Sequence, residues 1–314
     1  MINIGIAGIS TGNGHPYSFS AIINGFNKKK FSSAGWPTIY DYLISEPSSQ
    51  HGIPEAEVTH GWTQDLAITK NLCDATKIKV QCANLDQMMG EIDALIIARD
   101  DWESHMDMAK QFLEVGTPVF IDKPLTLSKD ELSYFLPFLE SGKLMSCSGF
   151  RYSSEILESR DKLSALGQLK LISGVTLNSL IKYGIHLLQP IIALLDTLPT
   201  SIIVSRNYAR YESYSFQFQS GLVVKLDCLG DVCKVFNLNF FGEKGKAQIE
   251  LSNNFRAFKT TIENFLRMVE TGEPPFNPRE TIIVIGILQV AYNLKEGETK
   301  LVKFSHSNYE AILV

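Results

Sequence analysis

The first residues suited to chemistry are glycines in a turn. Residues 8–16 read Gly-Ile-Ser-Thr-Gly-Asn-Gly-His-Pro, directly after the alternating run Ile2, Ile4, Ile6. A strand that ends in glycines and opens a helix can cradle a pyrophosphate, because backbone N–H groups and the helix dipole point at the anion. The candidate groups are Gly8, Ser10, Thr11, Gly12 and Asn13. The strict G-x-G-x-x-G spacing is not met, since the aligned triple is Gly8, Ser10, Asn13. The same residues therefore also fit a strand-to-helix turn that binds nothing. A carboxylate ending the second strand would hold a ribose hydroxyl, and a basic residue would hold a 2′-phosphate. Gly61-Trp62-Thr63 carries neither; Asp65 is the nearest acid, and His60 could substitute. NAD and NADP both stay open.

Arg99-Asp100-Asp101 follows an apolar strand, at the end where open α/β sheets bind ligands. Its paired acids lack a third ligand at metal spacing, so no metal is expected. Tyr208, Tyr211 and Tyr214, with Arg206 and Arg210, fit a strand end near substrate, an interface, or plain packing. No G-x-S-x-G elbow, Walker loop or H-E-x-x-H motif occurs.

These groups need elements to hold them. A helix is expected over 18–26. Residues 31–57, rich in Gly, Pro and Ser, look like an insertion rather than a core element. Strands at 57–63, 77–83, 92–98 and 117–121 alternate with helices at 65–75 and 104–115, which argues for a parallel α/β sheet. The apolar run over 92–98 suits a sheet covered on both faces. Ser128-Lys129-Asp130-Glu131 is a capping box that opens another helix. Later strands at 167–178, 201–209, 214–219, 222–229, 235–241 and 247–251 are joined by short turns. They predict a mostly antiparallel open sheet, with helices at 183–195, 255–270 and 278–294 on one face, an α+β domain.

Composition bounds the class. The chain has 314 residues, 45% hydrophobic and 20% charged, which is globular. Lys and Arg total 29 against 34 Asp and Glu, a net charge of −5. Such a chain is a poor partner for nucleic acid. No run approaches the ~20 apolar residues of a membrane helix, and the start lacks a basic leader, so a cytoplasmic protein is expected. Five cysteines without a CxxC pair fit thiols in a reducing compartment.

The stretch 92–128 is more specific: a buried strand, a loop, a His opening a helix, a Gly, a second buried strand, then Asp122-Lys123-Pro124 and a capped helix. It resembles the Gfo/Idh/MocA oxidoreductase family, whose signature at this place is Glu-Lys-Pro. His105 falls at that family's helix-opening His. Gly167-Gln168-Leu169-Lys170 looks like its entry into the second domain, and Lys182-Tyr183-Gly184-Ile185-His186-Leu187-Leu188-Gln189 resembles its Asp-x-Gly-x-His-x-x-Asp motif. The resemblance implies a Rossmann dinucleotide-binding domain over 1–122 and an α+β substrate and oligomerisation domain over 123–314. It implies NAD or NADP as cofactor and hydride transfer to or from a sugar-type substrate. Lys123 would orient the reacting oxygen and His186 would shuttle the proton. Asp122 would fix Lys123 or contact the nicotinamide half, and Arg99, Asp100 and His105 would border the cofactor. A homo-oligomer through the second sheet is expected.

Lys182 and Gln189 stand where the family motif carries acids. Four residues apart on a helix, Lys182 and His186 would project together. Lys123, Lys182 and His186 facing one pocket would suit an anionic or nucleotide-linked sugar. The same replacements leave a second reading open: a family relative that binds a nucleotide or sugar without turnover, as a sensor or regulatory partner.

Overall fold

The computed structural model describes residues 1–195, 199–206, 211–293, 295, 299–304 and 311–313. The alternating start forms β1 (Ile2–Ala7), with Ile4, Ile6 and Ala7 fully buried. The glycine turn leads into α1 (His15–Asn24). Then come α2 (Lys28–Phe31), α3 (Pro37–Ser45), β2 (Ala56–Trp62), α4 (Leu66–Thr76) and β3 (Val80–Gln81). After these follow β4 (Ala94–Ile97), α5 (His105–Glu114), β5 (Val119–Ile121), α6 (Lys129–Glu140) and β6 (Leu144–Met145). The six strands lie in the order β3-β2-β1-β4-β5-β6, and every pair is parallel. This is the Rossmann order, and it reverses between β1 and β4, the point where such sheets bind ligands at their carboxyl ends.

Residues 31–57 correct the expectation. Phe31 and Leu43 are fully buried and Ile39 is 8% exposed. The Tyr42 hydroxyl donates to Ser18 Oγ at 2.5 Å, and Tyr17 and Trp36 lie ring to ring at 5.9 Å. The Gly and Pro residues mark turns between short helices that pack on α1. They do not mark a segment without a core. The capping box forms by half. Ser128 Oγ accepts from the Glu131 N–H at 3.4 Å, but the Glu131 carboxylate takes the Thr126 hydroxyl at 2.5 Å.

The second unit begins with α7 (Ser154–Leu157), α8 (Arg160–Ser164) and β7 (Leu169–Thr176). A π-helical turn over Leu180–Gly184 runs into α9 (Ile185–Leu195). The later elements are β8 (Pro199–Arg206), β9 (Glu212–Phe218), β10 (Val223–Cys228), β11 (Phe236–Gly242), β12 (Gly245–Glu250), α11 (Arg279–Tyr292), β13 (Thr299–Phe304) and β14 (Ala311–Leu313), while α10 (Asn254–Thr271) belongs from residue 258 to the first unit. The sheet order is β12-β11-β7-β10-β9-β8-β13-β14. Only the β7–β10 pair is parallel; the other neighbours are antiparallel. Ile172, Phe216, Leu226, Leu238 and Phe240 carry the buried face.

On sequence alone the boundary falls at residue 122. Contacts instead group 1–147 with 258–276, and 148–257 with 277–314. Two packings explain the difference: β6 pairs with β5, and Phe265 on α10 lies 5.8 Å from Phe120 on β5. Among the described residues no helix is long and apolar enough to cross a membrane, and no group of three His, Cys, Asp or Glu could hold a metal ion.

If residues 31–57 are integral to the first unit, Leu43→Ala will cost about 2–5 kcal/mol in urea unfolding, the usual penalty for emptying a buried leucine site. A cost under about 0.5 kcal/mol, the range of surface changes, would show a detachable arm.

Candidate active site

The glycine turn is shaped by two left-handed residues, Gly8 at φ +81 and Gly12 at φ +79. A Cβ on Gly8 would run into the Arg99 side chain, whereas at Gly12 nothing lies within 4 Å. The turn is tied to three strand ends. Toward β2, the Gly8 N–H donates to Trp62 O at 2.8 Å. The Gln64 amide takes the Ile9 N–H at 3.0 Å and donates to Ile9 O at 2.7 Å. Toward β4, the Ser10 hydroxyl donates to Asp100, whose own N–H returns to Ser10 Oγ at 3.2 Å.

Toward β5 the tie is a buried carboxylate. Asp122 is 3% exposed. Its Oδ2 accepts from Asn13 Nδ2 at 3.0 Å and meets His15 Nδ1 at 2.5 Å. Its Oδ1 accepts the Lys123 N–H at 2.8 Å. Burial alone would push this carboxyl up. The charge and hydrogen bond of His15, the charge of Lys123 and the Asn13 amide outweigh burial and hold it well below the usual carboxylate range. Lys123 itself is 5% exposed, and its Nζ lies 3.8 Å from Asp100. The Lys123–Pro124 peptide is cis. Two aspartates thus join the glycine turn to the lysine.

His105 is fully buried, with one ring nitrogen 2.9 Å from Leu125 O and the other 3.0 Å from Arg99 O. It couples the loops after β4 and β5. Arg99 donates Nε to Asp101 at 2.8 Å. Gly8, Ser10, Asn13, Arg99, Asp100, His105, Asp122 and Lys123 therefore gather on the loops after β1, β4 and β5, while Thr11 and Gly12 lie exposed at the tip of the turn. These residues fit a dinucleotide. The open space over Gly12 leaves room for an anion, and the first turn of α1 carries no acid to compete for the helix dipole.

In the second unit His186 opens α9. Its Nδ1 lies 2.7 Å from Ser148 Oγ, which also accepts the Phe150 N–H at 3.2 Å. Gln189 is 2% exposed, and its Oε1 accepts the Ser148 N–H at 3.2 Å. Phe150 and Phe236 flank the imidazole, each with its ring centre at 5.7 Å. The Ser148 loop is anchored by Arg151, which makes paired bonds of 2.8 and 2.9 Å to Glu280. Lys182 is exposed and sits in the π-helical turn, where an α-helix was expected. The buried Glu212 carboxylate caps that turn at the Leu180 N–H, 2.8 Å, and also takes the Tyr214 hydroxyl at 2.9 Å. Tyr214 is thus core, and Tyr211 donates to Asp227 at 2.5 Å. Tyr208 and Arg210 lie outside the described residues.

His15, Gln64, Ser148 and Glu212 are site-building residues that sequence reasoning missed. Their partners are remote in sequence, 107 residues away for His15 and 55 for Gln64, so no local pattern marks them.

Residues 44–146 match the family model described as "Oxidoreductase family, NAD-binding Rossmann fold". That segment runs from the end of α3 through β6. No curated protein matches by sequence. Solved structures match the whole chain in fold. Myo-inositol 2-dehydrogenase from Lactobacillus plantarum aligns with TM-score 0.74 at 15% identity, over 97% of this chain and 99% of that one. Myo-inositol dehydrogenase from Lactobacillus casei, in complex with NAD(H) and myo-inositol, aligns with TM-score 0.73 at 15% identity, over 98% of each chain. GenD2 from gentamicin A biosynthesis, in complex with NAD, gives 0.72 at 13% identity, over 100% and 97%. These identities establish the fold. The family match adds an NAD-binding Rossmann fold over residues 44–146.

The depressed Asp122 carboxyl stabilises the fold fully above its unfolded value near ~3.9, and this stabilisation fades as pH falls through the lower folded value. Asp122→Asn should cost about 3–5 kcal/mol at neutral pH, the penalty for breaking a buried pair. Urea unfolding should show the gap from wild type closing below about pH 4. A gap unchanged from pH 7 to about pH 3 would contradict the pairing.

Proposed function

We propose that this chain transfers hydride between NAD or NADP and a hydroxyl- or keto-bearing carbon of a sugar derivative, with anionic or nucleotide-linked sugars as the preferred class. The observation that carries the reading is Lys123, an almost fully buried ammonium at the carboxyl end of β5, linked through Asp100 and Asp122 to the glycine turn. A buried cation is costly to keep, so its retention beside an anion-binding turn favours a working role. The nicotinamide, when bound, supplies or accepts the hydride. The proton is left to the protein. Oxidation of a carbinol needs the hydroxyl proton to leave, and reduction needs one to arrive.

Lys123 is assigned to orient that oxygen by hydrogen bonding. His186 is assigned to carry the proton on Nε2, because Ser148 engages Nδ1. Exposed Lys182 is assigned to an anionic group of the substrate. Two of the aligned structures are named for myo-inositol, which supports a polyhydroxylated ring as the core of the substrate. Self-association is proposed through the open face of the second sheet, where Ile203 and Phe241 are 38% and 39% exposed.

Lys123→Ala should lower turnover on a panel of polyols, uronates and sugar nucleotides by about 10²-fold or more, with thermal stability and far-ultraviolet dichroism retained. Unchanged turnover would remove Lys123 from the reaction. A wild type that binds coenzyme yet turns over no member of the panel would favour the sensor reading.

A further inference from the structure

Resting on the coenzyme reading above, we propose that this protein does not select between NADH and NADPH, and that Gln64 sets this indifference. In a Rossmann domain the choice is made where β2 ends beside the turn after β1, by an acid that holds the ribose hydroxyls or a cation that holds the 2′-phosphate. Here β2 ends at Trp62, followed by Thr63, Gln64 and Asp65.

Thr63 is 1% exposed. Its hydroxyl is turned inward, 2.8 Å from Asp65 O and 2.9 Å from Thr69 Oγ1. Asp65 faces its own helix: Oδ1 accepts the N–H groups of Ala67 at 2.7 Å and Ile68 at 3.0 Å as the cap of α4. Gln64 alone reaches across, gripping both backbone groups of Ile9. The group laid against the glycine turn is therefore a neutral amide.

The neighbouring cations are committed elsewhere. Lys70 pairs with Asp74 at 2.8 Å, and Arg99 pairs with Asp101. His60 bonds Thr59 Oγ1 at 2.8 Å within β2, short of its end. Discrimination needs an attractive element for one ligand or a repulsive one against the other. An amide supplies neither against a 2′-hydroxyl or a 2′-phosphate.

The test is a titration of the intact chain with NADH and with NADPH, read as energy transfer from tryptophan to the reduced nicotinamide. Trp36, Trp62 and Trp102 all lie in the coenzyme-binding unit, and Trp36 packs against Gly14 of the turn. The two dissociation constants should agree within about tenfold. Gln64→Glu should weaken NADPH relative to NADH by about tenfold or more, through like-charge repulsion. Gln64→Arg should shift the ratio the other way by a similar factor. Gln64→Ala, which loses the clamp on Ile9, should weaken both and leave the ratio within about threefold. A wild-type ratio above about tenfold, or a ratio unmoved by both charged variants, overturns the proposal. Binding of neither coenzyme at ~1 mM overturns the coenzyme reading itself, a different result because no ratio then exists.

Discussion

A carboxylate taken out of water must be matched by charge and hydrogen bonds, and Asp122 is the place where this chain meets that demand. Its partners come from two loops, Asn13 and His15 from the glycine turn and the backbone of Lys123 from its own. Satisfying one buried group therefore fixes both the glycine turn and the segment that carries Lys123. Asp100 repeats the device with Ser10 and the Lys123 ammonium. Because both acids are held by the protein before any ligand arrives, the loops after β1, β4 and β5 are ordered in advance, which lowers the cost of binding.

In the second unit a serine hydroxyl engages His186, and an amide, Gln189, holds that serine's loop. The carboxylates stand one step further out, with Glu280 anchoring Arg151 and Glu212 capping the turn that leads into α9. Gln189 stands at this position as a buried amide whose oxygen takes the Ser148 N–H. His186 is held in a defined geometry by Ser148 between the rings of Phe150 and Phe236.

Much of this was legible in the residues. Buried parallel strands are written as unbroken apolar runs, so β4 and β5 stand out, while β1 shows by its alternation. Asp122 and Lys123 are singled out by the resemblance that the acid-lysine-proline triplet carries. The failures have physical causes. Glycine and proline over 31–57 speak for turns and say nothing about Phe31 or Leu43, whose burial depends on α1. The boundary at 122 missed β6 and the return of α10, since both are decided by packing against β5. His15 and Ser148 carry no local signal, because the groups that give them meaning lie 107 and 38 residues away.

The most direct measurement is a double-mutant cycle on the buried pair, with His15→Gln and Asp122→Asn singly and together, read by urea unfolding at neutral pH. If the pair organises the loops after β1 and β5, the coupling free energy will be about 0.5 kcal/mol or more, as for residues sharing one buried hydrogen-bond network. Strictly additive losses, with coupling within about 0.3 kcal/mol of zero, would contradict it.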